Sequence, residues 1–399
     1  MPFTPLVSTP PDSWAYVIGG SRGVPPAAVR AQARRLSLAG ATPALILDPR
    51  EAVKVANDLY SRVGSVRYAV KAGPFACVVE ALAIEGHGFD VASVDEINLV
   101  LAHSDSSRIV CSNPAMSPRE LRSALALGVR LFVTDSPEHS LQLRDSAVSE
   151  GVDLGDVKVL VRLSLSDDSA HVKLSEKFGV SIEDAGAVVV NARELGFKVA
   201  GFSFHLGSQA KSASIAADAS KAALALSVVH GMRDPIIDVG GGFPAPYVGE
   251  GDWRVFADAL GAPLAVTGAT VLCEPGRVIA SAGSWLVATV ISVATRGGVK
   301  FVHLDAGAYH GLLEASPLVG YQITFPVAVS GGTGELVAGR LVGPTCDSLD
   351  TLFTETVPVP CDIAVGDSVI FGGAGAYSVS CSSPFNGFAV PGVHVLEYD

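Results

Sequence analysis

The chain has 399 residues, with 28 Lys+Arg against 40 Asp+Glu, a formal net charge of −12 and 17% charged residues. That length exceeds one ordinary domain and suggests two or three. The negative balance excludes the basic stripe of a nucleic-acid-binding protein, and a hydrophobic content of 49% excludes wholesale disorder.

In chain order, Met1–Gly20 has no basic segment leading into an apolar core, so no signal peptide is expected. One helix is expected over Pro26–Leu38. From about residue 40 to 275 a single theme repeats: a short Val/Ile/Phe-rich run, a polar or Gly cluster, then a helical stretch. The apolar runs are Val66–Val70, Gly88–Ala92, Arg108–Cys111, Arg130–Thr134, Val157–Leu163, Lys198–Phe204, Pro235–Val239 and Thr270–Cys273. Between them lie helical stretches at Phe75–Ile84, Ser93–His103, Ser117–Leu127, Pro137–Ser149, Ser181–Leu195 and Ser212–His230. Alternating strands and helices predict a parallel sheet, and eight units in about 235 residues match the size of a (β/α)8 barrel. The expected α/β fold is therefore a TIM-like barrel over 40–277. A second, all-β domain is expected from 1–39 and 278–399, because Trp285–Thr295, Lys300–Leu304, Tyr321–Val329, Ser368–Phe371 and His394–Tyr398 read as strands separated by Gly, Pro and Asp.

Mean hydropathy is +0.40, which raises the question of a membrane protein. The longest uncharged runs, between Arg277 and Arg296 and from Ala315 to Gly334, are broken by Ser, Thr, Gly and Pro. Neither supplies the roughly 20 predominantly apolar residues of a spanning helix, and both read as buried strands. The six cysteines show no CxxC or metal-ligand spacing. They fit a reduced, cytoplasmic protein without a metal site better than a disulfide scaffold.

In such a barrel, catalytic groups gather at the C-terminal ends of the strands. There the first run leads to Lys71, the second carries Asp90 and leads to Ser93 and Glu96, and the third leads to Ser112-Asn113. The sixth leads to His205-Leu-Gly-Ser208-Gln209, the seventh to Gly240-Gly241-Gly242 and the eighth to Glu274-Pro-Gly276-Arg277. Taken singly, Lys71 reads as a solvated lysine, the glycines as a tight turn, His205 as a core histidine and Glu274 with Arg277 as a salt bridge. Together they offer more. Gly-rich turns present backbone N–H groups to an anion, with Ser208 and Arg277 close by. A desolvated lysine can form a Schiff base. Phosphate clamp, lysine and carboxylate are the groups that pyridoxal 5′-phosphate requires.

These residues carry a family resemblance. Tyr68-Ala-Val-Lys71-Ala, Phe89-Asp-Val-Ala-Ser93 with Glu96, His205-Leu-Gly-Ser-Gln209, Asp238-Val-Gly-Gly-Gly-Phe-Pro244, Glu274-Pro-Gly-Arg277, Gly343-Pro-Thr-Cys-Asp-Ser-Leu-Asp350, Gly375-Ala-Tyr377 and Phe385-Asn-Gly-Phe388 follow one another over nearly the whole chain. They resemble the fold-type III pyridoxal-phosphate decarboxylases of the ornithine, diaminopimelate and arginine group, with an alanine-racemase-like two-domain architecture. The resemblance implies that Lys71 holds the cofactor covalently, that His205 stacks on its ring and that Glu274 pairs with the ring nitrogen. Asp90 joins this cofactor set, and Ser208, Gly241, Gly242, Gly276, Arg277 and Tyr377 hold the phosphate. Cys346 is then the acid that returns a proton to Cα, and Asp347 binds the distal amine of a small-molecule amino-acid substrate. It further implies a homodimer with shared active sites, Cys346 and Asp347 reaching the partner's site and Lys177 and Asp350 pairing across the subunits.

Cys346-Asp347 resembles the ornithine and lysine branch, whereas diaminopimelate enzymes usually carry Cys-Glu. One departure follows Asp305-Ala-Gly-Ala-Tyr309, where animal-type ornithine decarboxylases have a Tyr-Asp pair and this chain has His310-Gly-Leu-Leu-Glu314. Glu314 and Tyr309 are candidate substrate contacts, Glu314 being equally readable as a surface residue. Ornithine or lysine is the expected substrate, and diaminopimelate, arginine or a specialised-metabolism diamino acid is the alternative. A racemase of the same fold and a non-catalytic regulatory relative are the readings from other classes.

Overall fold

The computed structural model describes residues 14–19, 24–174, 176–331 and 335–398. Most of Met1–Gly20, where no leader is expected, and the end of the Ala315–Gly334 run lie outside the described residues. Two compact units emerge, Pro49–Pro246 with Glu250–Ala280, and Met1–Asp48 with Tyr247–Gly249 and Ser281–Asp399.

Strands β1 (Trp14–Ile18) and β2 (Ala44–Leu47) come first, followed by β3 (Ser65–Ala69), β4 (Gly88–Val91), β5 (Ile109–Cys111), β6 (Leu131–Thr134), β7 (Lys158–Leu163), β8 (Lys198–Phe204), β9 (Ile236–Asp238) and β10 (Thr270–Cys273). The last eight close a barrel in the order β10-β3-β4-β5-β6-β7-β8-β9, and the pairings are parallel. All eight apolar runs found in the sequence become its strands. Strands buried on both faces read as continuous apolar stretches, and β4 and β5 are buried at every position. The intervening helices begin where local chemistry starts them. Ser117 and Glu120 form a capping box with Pro118 at the first turn, and Ser93, Ser136 and Ser212 each accept a backbone N–H at a helix start.

The second unit continues with β11 (Ser284–Arg296), β12 (Val299–Leu304), β13 (Val327–Ser330), β14 (Leu336–Val342), β15 (Thr351–Pro360), β16 (Ser368–Gly372) and β17 (Gly392–Val395). Among the described residues the sheet order is β1-β13-β16-β11-β12-β14-β15, with β2 paired to β11 and β17. The helix Ala27–Leu38 packs Val29 and Ala33 onto Ile46, Val287, Ile370 and Leu396. The barrel expected from residue 40 therefore starts later. Ala44–Leu47 is as apolar as a barrel strand but runs antiparallel to β11. Two other expectations change. The Arg277–Arg296 run opens with a short helix, Arg277–Ala280, before β11. In Tyr321–Val329 strand pairing begins only at Val327, because Pro326 has no N–H to give a ladder.

Candidate functional site

In the barrel unit, Lys71 sits in a 3-10 turn, Val70–Ala72, that closes β3. Register places Ala69 beside Asp90 of β4, and the Lys71 ammonium lies 3.1 Å from the Asp90 carboxylate, which is 3% exposed. His205 follows β8. Its Nδ1 accepts the Gly207 N–H at 3.1 Å, which puts the proton of the neutral ring on Nε2. Burial, with the positive charges of Arg162 and Lys71 behind it, holds the His205 pKa down to about 3, so the ring is uncharged at neutral pH. Arg277, buried at the head of its helix, donates from Nε and Nη2 to Ser208 Oγ, each at 3.3 Å. The Ser208 backbone is pinned in turn: it receives the His171 N–H and donates to the Val172 carbonyl, both at 2.9 Å.

The turn after β9 is fastened to the end of β10 by the Glu274 N–H, which donates to Gly240 O at 2.8 Å. A Cβ on Gly242, where φ is +90°, would meet the Gly207 carbonyl, and one on Gly276 would lie 2.9 Å from the Ala72 Cβ. Only residues without side chains let these turns approach so closely; a Cβ on Gly241 would lie 3.0 Å from His205 Nε2.

Glu274 is the electrostatic centre of this mouth. Burial pushes its pKa well up, Asp238 and Asp90 add to that, and Lys71 and the Ser112 hydroxyl oppose it. Asp238, fully buried, is itself pushed up to about 6, chiefly by burial. Its Oδ1 accepts the Gly240 N–H at 2.9 Å, while Oδ2 is buried without a hydrogen-bond partner. Neighbouring buried carboxylates resist being ionised together, so this mouth favours a proton or a cation. Sequence reasoning gave no role to Ser112 or Asp238. Ser112 Oγ donates to Glu274 Oε1 across 162 positions of sequence, and its placement at the end of β5 was the available signal.

A second group of expected residues lies in the β-rich unit. Tyr309 donates its hydroxyl to Asp347 Oδ2 at 2.5 Å, and the Leu349 N–H donates to Oδ1 at 3.0 Å. These two donors, Tyr309 first, hold the Asp347 carboxyl below its ordinary range. The Tyr309 ring lies 4.6 Å from that of Phe385, and the exposed Cys346 thiol is 3.6 Å from Asn386 Oδ1. Cys346, Asp347 and Tyr309 thus gather around the Phe385–Asn386 turn. Tyr377, also in this unit, takes a positive φ of 52°. Glu314 is not the surface residue it could have been: it is 5% exposed and accepts the Tyr321 hydroxyl.

Asp350, expected to pair with Lys177 across subunits, has work within its own chain. It is 2% exposed, and its carboxylate accepts the Ala308 N–H at 2.8 Å, the Thr345 N–H at 3.1 Å and the Thr345 hydroxyl at 2.8 Å. It holds the 343–350 loop in shape beneath Cys346 and Asp347. The Lys177 ammonium lies 4.9 Å from the Phe178 ring centroid, within cation–π range.

The barrel residues fit pyridoxal phosphate. Buried carboxyls that resist being ionised together suit a protonated ring nitrogen, and Ser208, Arg277 and the glycine turns suit a phosphate. Comparison with known proteins agrees. The family described as "Pyridoxal-dependent decarboxylase, pyridoxal binding domain" matches residues 50–281, more than half of the chain. A lysine/ornithine decarboxylase of Selenomonas ruminantium is 30% identical over 83% of this chain and 83% of its own length. An ornithine decarboxylase of Schizosaccharomyces pombe is 30% identical over 83% and 78%. The solved lysine/ornithine decarboxylase of Vibrio vulnificus, complexed with cadaverine, superposes with a TM-score of 0.82 at 28% identity over 94% of this chain and 100% of that one. The chain belongs to the pyridoxal-phosphate-dependent amino-acid decarboxylases of the ornithine/lysine decarboxylase-like family.

Proposed function

We propose that the protein decarboxylates a basic L-amino acid, ornithine to putrescine or lysine to cadaverine, as a homodimer with shared active sites. The observation that carries this reading is the Tyr309–Asp347 pair beside the Cys346 thiol. Two donors keep Asp347 ionised, and an ionised carboxylate on an accessible loop is the group a distal ammonium seeks. Relatives named for lysine and ornithine support the same substrate class.

Pyridoxal phosphate, when bound, supplies a conjugated electron sink for the pair left at Cα by departing CO2. The chain's own residues supply the rest. The Lys71 amine would hold the cofactor's aldehyde carbon. Glu274 would face the ring nitrogen, its carboxylate form favoured by a positive charge there. Neutral His205 would cover the ring without competing for that charge. Ser208, Arg277 and the N–H groups of Gly241, Gly242 and Gly276 would hold the phosphate, joined by Tyr377. Asp347 orients the substrate, and the Cys346 Sγ–H returns one proton to Cα. The test is CO2 and amine release with ornithine, lysine, arginine, diaminobutyrate and meso-diaminopimelate, with pyridoxal phosphate present. Ornithine or lysine should show the highest kcat/KM. Preference for meso-diaminopimelate, whose distal end carries a carboxylate, would overturn the assignment of Asp347. Inversion without CO2 would make the protein a racemase.

A further inference from the structure

The barrel has a second opening, at the N-terminal ends of its strands and so opposite to Lys71. A cavity of about 830 Å3 lies there, reached by the first residues of β5, β6, β7, β8, β9 and β10. Its volume falls within the range of small-molecule sites.

Six cations line it: Arg67, Arg130, Lys158, Arg193, Lys198 and Arg233. Among the described residues none of the six forms an ion pair with a carboxylate, although the chain as a whole carries 40 acidic residues against 28 basic ones. Asp234 is the single carboxylate in the lining. Backbone carbonyls tether two of the cations. Arg130 donates to Leu125 O and Val129 O, each at 2.8 Å, and Arg193 donates to His230 O at 2.8 Å. Those bonds orient the guanidinium groups and leave their charge uncompensated.

Arg67 is the deepest of the six. It projects from β3 beside Gly88 of β4, and a Cβ at position 88 would collide with its guanidinium. The glycine makes the room. Arg67 Nε is buried without a hydrogen-bond partner, and burial lowers the pKa of the group. Asp238 and Asp105 oppose its charge only from a distance, without an ion pair, which is costly for a largely buried cation, and so many like charges around one cavity repel each other. The floor is different in kind: Leu131, Ala200 and Ile236 pack there on the core residues Val110, Val133 and Leu160.

We propose that this basal cavity binds a multiply charged phosphate compound, either inorganic diphosphate or the phosphate tail of a nucleotide, at a site separate from the catalytic mouth. The cationic rim neutralises the phosphates. The apolar floor accepts a planar base, if the ligand carries one.

The experiment titrates pyrophosphate, ADP and ATP into the pyridoxal-phosphate-loaded enzyme by calorimetry at low and high salt. Loading the cofactor keeps the probes from the phosphate clamp at Ser208 and Arg277. Saturable binding, weakened by salt, is expected. It should fall by roughly tenfold or more in the triple variant Lys158→Glu/Lys198→Glu/Arg233→Glu, whose side chains are exposed. Cofactor absorbance in the variant reports that the barrel is intact. Should the triple variant unfold, Lys158→Glu and Lys198→Glu singly carry the same expectation at smaller size. Pyrophosphate binding as tightly as ADP assigns an inorganic ligand, and tighter ADP assigns a nucleotide seated on the apolar floor. No saturable binding of any probe, or binding that survives the charge reversals, overturns the proposal.

Discussion

Asp238→Asn isolates the carboxyl cluster that the site is built around. The substitution removes a buried charge and keeps a side-chain oxygen for the Gly240 N–H. In the folded protein Asp238 titrates near 6, against 3.8 when unperturbed. The sign follows from proton binding. Between those two values the unfolded chain gives up its proton while the folded chain keeps it, so wild-type stability falls as pH rises. The shift is about two units, which at 1.36 kcal/mol each amounts to about 3 kcal/mol of instability, fully present above pH 6. Arg67 loses a facing charge in the variant, so the figure is an upper limit. Urea denaturation of the cofactor-free protein from pH 4 to 8 measures it. The variant should be the more stable of the two at pH 8 and should decline less steeply than wild type between 4 and 6, the remaining slope belonging to buried Glu274. Adding pyridoxal phosphate should narrow the gap, because a protonated ring nitrogen compensates the cluster. An apo variant no more stable than wild type at pH 8 would refute the reasoning.

Other outcomes follow from named contacts. Ser112→Ala removes a donor to Glu274 and should weaken cofactor binding by about tenfold, the size of one hydrogen bond to a charged group, with recovery in Ser112→Thr; equilibrium dialysis of the cofactor checks both. Cys346→Ala should leave cofactor binding and CO2 release in place but lower the yield of the correct amine, which product analysis by mass spectrometry would register. Asp350→Ala strands the buried N–H of Ala308 and the half-buried N–H of Thr345 and should cost about 3 kcal/mol of stability by thermal denaturation, together with a raised KM because the loop under Asp347 loses its anchor.

The barrel was legible because its strands are buried on both faces and each is followed by a recognisable helix. The β-rich unit was less so. Strand β14 contains Gly339, and β15 ends on Pro358-Val-Pro360 with Glu355 in its middle, so neither shows the apolar run that marked the barrel strands. Strand β2 misled in the opposite direction, since four apolar residues do not reveal which sheet they join. The site residues were found by their position at strand ends and by motif. Their electrostatics were not visible that way. The contact between Ser112 and Glu274, the charge shared with Asp238 and the inward-facing carboxylate of Asp350 all depend on side chains meeting across long sequence separations.

The most direct test is borohydride reduction of the protein purified with pyridoxal phosphate, followed by peptide mass spectrometry. A single pyridoxyl adduct on Lys71, absent together with the visible absorbance band in Lys71→Ala, is the result expected. An adduct on another lysine, or one retained in Lys71→Ala, would contradict the placement of the catalytic centre at the end of β3.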